Sequence, residues 1–313
     1  MTQKIIIDTD PGVDDSMAIL FALRSPELEV VGLTTVFGNT DVDVCAQNAL
    51  RLVELEGHDH IPVAQGAGVP LSMPPRSRGK RVHGDDGMGN TNPPPPKGRL
   101  AGVHAAQFIV EMVLAHPGEI ALAPVGPLTN IALAVRLEPR IVSLVKEVVI
   151  MGGAATVPGN ASPVAEANIH NDPHAAAIVF SAGWPLTMVG LDVTMKTIMT
   201  KEYLANLSRA GNKATELIGR ILPFYQAFFD KNYGMGGSIH THDPSAIACL
   251  IDRSLFRVER MPVFVETEGH CAGQTVPDRR RQWGDAATEI DVCLEVDSAR
   301  LLALYKERLT RQK

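Results

Sequence analysis

The stretch that decides the fold is IIIDTDPGVDDSMAILFAL, residues 5–23. It opens with three consecutive isoleucines, a pattern typical of a strand that is buried on both faces of a sheet. A Pro-Gly turn follows the strand, and residues 14–23 begin with two acids and continue with apolar side chains, which predicts a helix. The stretch therefore reads as a strand, a turn and a helix, the opening of a βα unit.

The rest of the chain continues this alternation of strands and helices. Further strands are predicted at residues 29–36, 62–64, 119–124, 147–151, 186–192, 261–266 and 289–296. Further helices are predicted at residues 42–56, 103–115, 128–137, 172–182, 214–230, from 244 onward and at 299–311. Such alternation implies parallel strands with right-handed helical crossovers. We expect one α/β domain over residues 1–313, with a mostly parallel central sheet flanked by helices and with C-terminal helical insertions.

Composition and charge narrow the class of protein. The chain has 313 residues, of which 45% are hydrophobic, and a net charge of −6, which disfavours a nucleic-acid partner. Its apolar runs are far shorter than the roughly 20 residues of a membrane span. The N-terminus shows no signal segment, and the four cysteines are widely spaced. We expect a cytoplasmic protein that binds neither nucleic acid nor membranes.

Four acids surround the first turn, at Asp8, Asp10, Asp14 and Asp15. In a parallel α/β sheet, the carboxyl ends of the strands are where ligands bind. One of these acids could simply cap the helix, but four would repel each other unless a cation or hydroxyl donors joined them. Oxygen ligands favour Ca²⁺ or Mg²⁺. The segment is not an EF-hand, because Val13 stands where that loop requires glycine.

Four later segments also place polar residues where a strand or helix gives way to a loop. They are Phe37-Gly38-Asn39, the segment from His83 to Gly89, residues 151–168 and His240-Thr-His242-Asp243-Pro244. The segment at His83 lies in a proline- and glycine-rich region without periodicity, residues 71–99, which is typical of a functional or mobile loop. Each segment has a simple structural explanation, such as a turn at Asn39 or a helix cap at Asp243. Their common position at one rim of the predicted sheet favours a shared site.

These segments together resemble the nucleoside hydrolases, the family of inosine/uridine-preferring and related ribonucleoside hydrolases. The resemblance covers essentially the whole chain. It rests on IDTDPGVDD at residues 7–15, Gly38-Asn39, His83-Gly, Asp86-Gly, GPLTN at residues 126–130, Met151-Gly-Gly, Asn160, Glu166-Ala-Asn168 and His242-Asp243. The first of these motifs is highly specific for the family.

The resemblance implies a Ca²⁺ site and a general base. Asp10, Asp15 and Asp243 are expected to hold the ion together with the backbone carbonyl of Val125. Asp10 is expected to act also as the base toward the attacking water.

The resemblance implies substrate contacts as well. Asp14, Asn39 and Asn168 are expected to bind the ribose 2′- and 3′-hydroxyls. The 5′-hydroxyl is expected to contact Asn160 and Glu166.

Met151 is also expected to contact the substrate, and the leaving base is expected to contact several aromatic and histidine rings. His242 is the expected catalytic residue there, since it aligns with the family histidine before the metal aspartate, although His240 is also a candidate. His83 is expected nearby on a mobile loop, and Tyr233 is expected on a stripe with Tyr225 and Phe229. At helical spacing, Phe224 and Phe228 are predicted to be core residues instead.

Several alternatives remain open at this stage. The leading hypothesis is Ca²⁺-dependent hydrolysis of purine and pyrimidine ribonucleosides, and a pyrimidine-restricted enzyme is the nearest alternative. A Mg²⁺-dependent phosphohydrolase with Asp8 or Asp10 as nucleophile would need a lysine and a second acidic pair, which Lys146 and Lys196 do not have beside them. A nucleoside-binding protein without activity is a further alternative. The family resemblance also implies a homodimer or homotetramer.

Overall fold

The computed structural model describes residues 2–75, 79–280 and 288–311. Its strands, numbered along the chain, are β1 (Gln3–Thr9), β2 (Leu28–Thr35), β3 (Val63–Gln65), β4 (Ile120–Pro124), β5 (Glu147–Met151), β6 (Leu186–Val189), β7 (Ile198–Met199), β8 (Ile239–His240), β9 (Phe256–Val265), β10 (Thr275–Pro277) and β11 (Glu289–Val296).

The α-helices follow the same numbering. They are α1 (Val13–Leu23), α2 (Val42–Glu56), α3 (Lys80–His83), α4 (Ala105–Ala115), α5 (Thr129–Leu137), α6 (Ile141–Leu144), α7 (Ala167–Asn171), α8 (Pro173–Phe180), α9 (Leu191–Thr194), α10 (Lys201–Ser208), α11 (Lys213–Tyr233), α12 (Asp243–Ile251) and α13 (Ser298–Thr310).

Within the described residues, nine strands form one sheet in the order β10-β9-β11-β6-β5-β4-β1-β2-β3. Every neighbouring pair from β11 to β3 is parallel, whereas β9 runs antiparallel to both β11 and β10. A short antiparallel ribbon of β7 and β8 lies outside this sheet, and α10 and α11 connect its two strands. The predicted mostly parallel α/β fold with C-terminal helical insertions is confirmed.

The central strand β1 is buried on both faces, as its isoleucines predict. Ile5 and Ile7 belong to the core that packs under α1, α2, α11, α12 and α13. Ile6 points to the opposite face and joins the core under α4, α5 and α8. Each fully buried isoleucine stabilises the fold by about 1.5–3 kcal/mol through removal of its side chain from water. The strand is therefore a rigid base for the acidic turn that follows it.

The predicted strand at residues 186–192 is wrong in its second half. β6 ends at Val189, and α9 begins directly after Gly190. A Cβ atom at position 190 would lie 2.7 Å from the Gly153 carbonyl oxygen, so the chain can turn there only with glycine. Asp192 then accepts hydrogen bonds from the backbone of Ala155 and Thr156, at 2.7 and 2.8 Å, instead of extending the strand.

Other boundaries also differ from the predictions. The region at residues 71–99 contains the short helix α3, and its residues 76–78 lie outside the described part of the chain. The helix predicted at residues 214–230 extends to Tyr233, where Gly234 ends it in a left-handed conformation with φ of 65°. Among the described residues, no helix is both long enough and apolar enough to cross a membrane.

Candidate active site

A cavity of about 670 Å³ opens at the carboxyl ends of the parallel strands. Residues from every predicted polar segment line it. They include Asp14, Asn39, His83, Val125, Met151, Asn160, Glu166, Asn168, Tyr233, His240, His242 and Asp243. The sheet topology explains this convergence, because β1, β2, β4 and β5 are neighbours and end at the same edge.

Asp15 is fixed at the floor of the site by four donors. Its Oδ1 accepts hydrogen bonds from Thr9 Oγ1 at 2.6 Å and from the Asp10 amide at 3.1 Å. Its Oδ2 accepts from the Gly12 amide at 3.0 Å and from Asn39 Nδ2 at 2.8 Å. A carboxylate with this many partners keeps one orientation, so the turn presents a preorganised acid.

Three acids meet in a geometry that fits a cation. Ligand oxygens of Asp14, Asp15 and Asp243 lie within 4.8 Å of one another. Burial, followed by repulsion from the neighbouring acids, raises the pKa of Asp15 and Asp243. Among the described residues, Asp10 Oδ1 and Asp14 Oδ1 are buried without a hydrogen-bond partner. Buried oxygens without donors and mutually repelling carboxylates are the environment that a hard divalent cation would neutralise.

Asp10 lies beside this trio rather than within it. Its Oδ2 accepts a hydrogen bond from the Asn39 amide at 2.7 Å. Two glycines leave room for the carboxylate, since a Cβ at Gly38 would lie 2.0 Å from Oδ2 and a Cβ at Gly126 would lie 2.6 Å from Oδ1. Burial and the adjacent acids raise the pKa of Asp10 well above its usual range. Its partnerless Oδ1 is thus a strong proton acceptor at the edge of the acid cluster.

Two amide side chains present acceptors to the cavity. Both Nδ2 groups are bound to the protein: Asn39 donates to Asp15 and to the Asp10 carbonyl, and Asn168 donates to the carbonyls of Val125 and Met151. Each amide carries two donor hydrogens, so these bonds leave Oδ1 to accept from a ligand. The Val125 carbonyl, an expected metal ligand, accepts from Asn168 Nδ2 at 2.8 Å and retains a second lone pair.

Glu166 and Asn160 also line the cavity. Glu166 caps α7 and accepts hydrogen bonds from the amides of Gly153, Asn168 and Ile169, at 3.0, 2.9 and 3.2 Å. Burial raises the pKa of Glu166 to about 7. Asn160 is exposed, and its Oδ1 accepts from the Ala167 amide at 3.0 Å. Asn160 is therefore the solvent-exposed member of this pair, and Glu166 is buried.

His83 is a neutral, buried ring. Its Nδ1 accepts a hydrogen bond from the Val13 amide at 3.1 Å and lies 3.6 Å from Asp14 Oδ1. A nitrogen that accepts from a backbone N–H carries no proton, so the contact with Asp14 is not an ion pair and the proton resides on Nε2. Burial lowers the pKa of His83 to about 4. The ring also packs on Tyr225 with centroids 5.3 Å apart.

His242 is likewise buried, at the residue before α12. Its Nδ1 lies 2.9 Å from Thr194 Oγ1. Burial, followed by the neighbouring His240 and His83, lowers the pKa of His242 to about 3. The ring is therefore neutral over the physiological pH range. The half-buried His240 lies 5.8 Å away, centroid to centroid, and also lines the cavity.

The aromatic residues of α11 do not separate into core residues and cavity residues as predicted. Phe224 and Phe228, predicted to be core residues, are half-buried and line the cavity. Tyr225 and Phe229 are buried at 1% and 4% exposure and also border it, and Tyr225 donates to Asp14 Oδ2 at 3.0 Å. The cavity lies along this side of α11, so side chains from two adjacent faces of the helix line it. Tyr233 stands at the rim with 47% exposure.

Sequence reasoning missed some residues that support the site. Thr194 contacts His242, and Asn130 donates from Nδ2 to Asp8 Oδ1 at 2.8 Å. Asn130 belongs to the GPLTN motif at residues 126–130, so the sequence motif could have identified it. Thr194 lies shortly after β6, a strand that was predicted to end at residue 192 but ends at Val189. No pattern in the sequence marks Thr194 as a site residue. Lys196, considered for phosphoryl chemistry, donates instead to the Leu294 carbonyl at 2.8 Å.

The chain is similar to known proteins over nearly its whole length. Residues 5–303 match the family model described as inosine-uridine preferring nucleoside hydrolase. The chain is 43% identical over 301 residues to the inosine-uridine preferring nucleoside hydrolase of Leishmania major, and the match covers 95% of each chain. It is 41% identical over 312 residues to the probable uridine nucleosidase 1 of Oryza sativa subsp. japonica, and the match covers 98% of this chain and 96% of the relative. A solved plant nucleoside hydrolase superposes with a TM-score of 0.96 at 37% identity, and 100% of each chain is covered.

The chain belongs to the inosine-uridine preferring nucleoside hydrolase family. It is accordingly an N-ribosyl hydrolase, an enzyme that acts on N-glycosyl bonds.

Proposed function

We propose that the enzyme hydrolyses purine and pyrimidine ribonucleosides, such as inosine and uridine, to the free base and ribose, and that it depends on Ca²⁺. One observation carries the proposal: the acids Asp14, Asp15 and Asp243 cluster together, and two of them, Asp14 and Asp243, line the same cavity as the amides of Asn39 and Asn168. Acceptors of this kind suit a sugar, whose hydroxyls donate. The acidic trio suits a hard cation with oxygen ligands.

The proposed ion has a defined set of ligands and one chemical task. Asp10, Asp15 and Asp243 would hold Ca²⁺ together with the Val125 carbonyl, and Asp14 lies close enough to add an oxygen. When bound, Ca²⁺ supplies the positive charge that activates a water molecule for attack on the anomeric carbon. Calcium is a weakly polarising ion, so a carboxylate base must assist it.

The protein's own residues perform the remaining steps. Asp10 takes the proton of the attacking water through the oxygen that has no donor in the described chain. Asp14, Asn39 and Asn168 accept hydrogen bonds from the 2′- and 3′-hydroxyls and hold the ribose above the acid cluster. His242 lies on the side of the leaving base and donates a hydrogen bond to it.

The 5′-hydroxyl and the base occupy the two remaining parts of the cavity. Glu166 and Asn160 would bind the 5′-hydroxyl at the open end. Met151, Tyr233 and the neutral ring of His83 would contact the base, together with the other aromatic residues of α11. Aromatic faces stack on any nucleobase, which supports acceptance of both purines and pyrimidines.

The relatives support activity on these nucleosides, since one is described as preferring inosine and uridine and another as a probable uridine nucleosidase. A pyrimidine-restricted enzyme is the second candidate. Ribose release from inosine and from uridine at equal enzyme concentration distinguishes the two. Activity on uridine alone would reject the broader substrate range.

We also propose the biological setting. The nucleoside hydrolase domain extends over residues 1–313 and acts in nucleoside salvage in the cytoplasm, without nucleic-acid or membrane partners. The enzyme forms a homodimer or homotetramer. Light scattering after size-exclusion chromatography measures the mass of the assembly, and a monomer at micromolar concentration would reject this part of the proposal.

The metal is tested directly by binding and by activity. The nucleoside panel is assayed after chelation and again after addition of Ca²⁺ or Mg²⁺, and Ca²⁺ should restore most activity. Calorimetry should show that the Asp15→Ala, Asp243→Ala double variant no longer binds Ca²⁺. Unchanged Ca²⁺ binding by that variant would overturn the ligand assignment, whatever its activity.

A further inference from the structure

Two histidines of the cavity wall, His240 and His242, belong to a segment that one short stretch of chain supports. Helix α9 follows β6, and strand β7 follows α9. Strand β7 pairs with β8, so that Ile198 lies opposite His240. The Thr241 amide donates to the Thr197 carbonyl at 2.9 Å. Residues 190–199 are thus the support on which the histidine segment lies.

Helix α9 is itself fixed to the end of a neighbouring strand. The Leu191 amide donates to the Gly153 carbonyl at 2.8 Å. Asp192 is buried at 1% exposure and accepts from the amides of Ala155 and Thr156 at 2.7 and 2.8 Å. These bonds join the single turn of α9 to the loop after β5, so Thr194 at its end has a defined position relative to the cavity.

Thr194 is completely buried, and within the described residues its hydroxyl forms one hydrogen bond. In the described chain, the hydrogen bond of Thr194 Oγ1 is the 2.9 Å contact with His242 Nδ1. A buried hydroxyl has one proton and must donate it to a partner. A threonine in a helix can donate to the carbonyl four residues earlier, but Gly190 O already accepts from two backbone amides, those of Val193 at 3.1 Å and Thr194 at 3.2 Å.

We propose that Thr194 is a positioning residue that fixes the neutral tautomer of His242 with its proton on Nε2. Thr194 Oγ1 donates to Nδ1, so Nδ1 carries no proton and Nε2 is a hydrogen-bond donor. The ring is one of the residues that line the cavity. The inference rests on the proposed function, in which that donor binds the departing base.

This arrangement is useful because a neutral imidazole donates without bringing a positive charge near the acid cluster. The donor stabilises charge that develops on the base as the glycosidic bond breaks. Without the Thr194 hydroxyl, the ring is no longer confined to this tautomer or to this orientation. The loss should therefore fall on the chemical step for substrates whose leaving group needs a donor.

Kinetics of two variants test the role of the hydroxyl. Thr194→Val keeps the shape and removes the hydroxyl, and Thr194→Ser keeps the hydroxyl. For inosine, Thr194→Val should lower kcat by about tenfold or more, with KM changed by less than about twofold, as expected for one lost hydrogen bond. Thr194→Ser should restore most of kcat. With p-nitrophenyl riboside, whose leaving group departs without help, both variants should resemble the wild type.

A double-mutant cycle separates positioning from general damage to the fold. In a His242→Ala background, Thr194→Val should have almost no further effect on kcat for inosine, because its partner is gone. Additive losses would overturn the proposal, and so would equal losses on both substrates or a Thr194→Ser variant as slow as Thr194→Val. Melting temperatures identify a variant that has simply lost stability.

The tautomer can also be measured without any activity. In ¹⁵N-histidine-labelled enzyme, long-range ¹H–¹⁵N spectra distinguish protonated from unprotonated ring nitrogens, and His242→Gln assigns the signals by difference. The wild type should show His242 unprotonated at Nδ1 and protonated at Nε2, and Thr194→Val should lose this pattern. A proton on Nδ1 in the wild type would overturn the proposal. If the wild type released no ribose from any nucleoside, the proposed function would fail, and this spectrum would still decide the role of Thr194.

Discussion

At the scale of single residues, the proposed ribose subsite consists of hydrogen-bond acceptors. Asp14 Oδ1 has no partner in the described residues, and the amides of Asn39 and Asn168 have committed their N–H groups to the protein. Groups that only accept must be satisfied by hydroxyl donors from the substrate. A substrate that lacks one hydroxyl leaves a buried acceptor unpaired, which is costly in free energy.

A 2′-deoxynucleoside should therefore be a much poorer substrate. We expect kcat/KM for 2′-deoxyuridine to be lower than for uridine by a factor that can approach about 10⁴. The two values are measured side by side with the same enzyme. Equal values would contradict the placement of Asp14 and Asn39 at the 2′-hydroxyl.

Two nearby acids should differ sharply in their importance. Asp10→Ala should lower kcat by roughly 10³-fold, because it removes the proposed base and a proposed ligand together. Asp8 provides the matched control, since its Oδ1 accepts from Thr34 and Asn130 at 2.5 and 2.8 Å, and an asparagine oxygen can accept both bonds. Asp8→Asn should do less harm than Asp10→Ala. Equal losses in the two variants would show that the turn as a whole, rather than Asp10, is required.

Removal of His242 should depend on the leaving group. His242→Ala should lower kcat for inosine by about 10²-fold or more, as expected when the proposed hydrogen-bond donor to the departing base is lost. It should leave hydrolysis of p-nitrophenyl riboside nearly unchanged, because that leaving group needs no donor. The two substrates are compared with one enzyme preparation. A variant that loses both activities equally would place the residue in the metal shell or the fold.

At the scale of elements, α11 shows what periodicity can and cannot predict. Its helical spacing correctly separated the pair Phe224 and Phe228 from the pair Tyr225 and Phe229. The pattern does not say which face meets the core, because a cavity and a core are lined by the same side chains. β6 and α9 illustrate a second limit: the end of that strand is decided by a close approach of Gly190 to Gly153, which is a tertiary contact.

The two faces of α11 should respond differently to truncation. Phe229→Ala should destabilise the fold by about 3–5 kcal/mol, because the side chain is 4% exposed and packs in the core. Phe228→Ala should cost less stability and should raise KM for inosine, since its ring lines the cavity. Urea unfolding and steady-state kinetics measure the two effects. A larger loss of stability in Phe228→Ala would reinstate the original prediction that Phe228 is a core residue.

At the scale of the whole molecule, the order of strands in the sheet brings motifs that are distant in sequence together in one site. The acidic turn, Asn39 and Val125 follow β1, β2 and β4, and Met151 is the last residue of β5; these four strands are neighbours in the sheet. Parallel alternation and motif order therefore sufficed to predict their convergence. The hydrogen-bond partners within the site could not be predicted, because contacts such as Thr194 with His242 join segments 48 residues apart that β7 and β8 bring together.

The same topology gathers several buried acids at one point, with a consequence for the stability of the metal-free enzyme. Burial raises the pKa of Asp14 to about 6, and burial also raises the pKa of Asp10, Asp15 and Asp243. A carboxyl with a raised pKa in the folded state binds its proton more tightly there than in the unfolded chain. Stability contributed by these groups is therefore present at low pH and is lost as pH rises from the ordinary carboxyl pKa through about 6 and beyond.

Ca²⁺ binding should have the opposite dependence, because the ion requires deprotonated ligands. The rise in melting temperature that Ca²⁺ produces over the chelated enzyme should be large at pH 8, should shrink as pH falls through about 6, where Asp14 takes up its proton, and should be almost absent at pH 5. Thermal unfolding with and without Ca²⁺ across this range measures the difference directly. The Asp15→Ala, Asp243→Ala double variant is the control and should show no rise at any pH. A rise in the wild type that is the same at pH 5 and pH 8 would mean that Ca²⁺ stabilises the enzyme at a site other than the acidic turn.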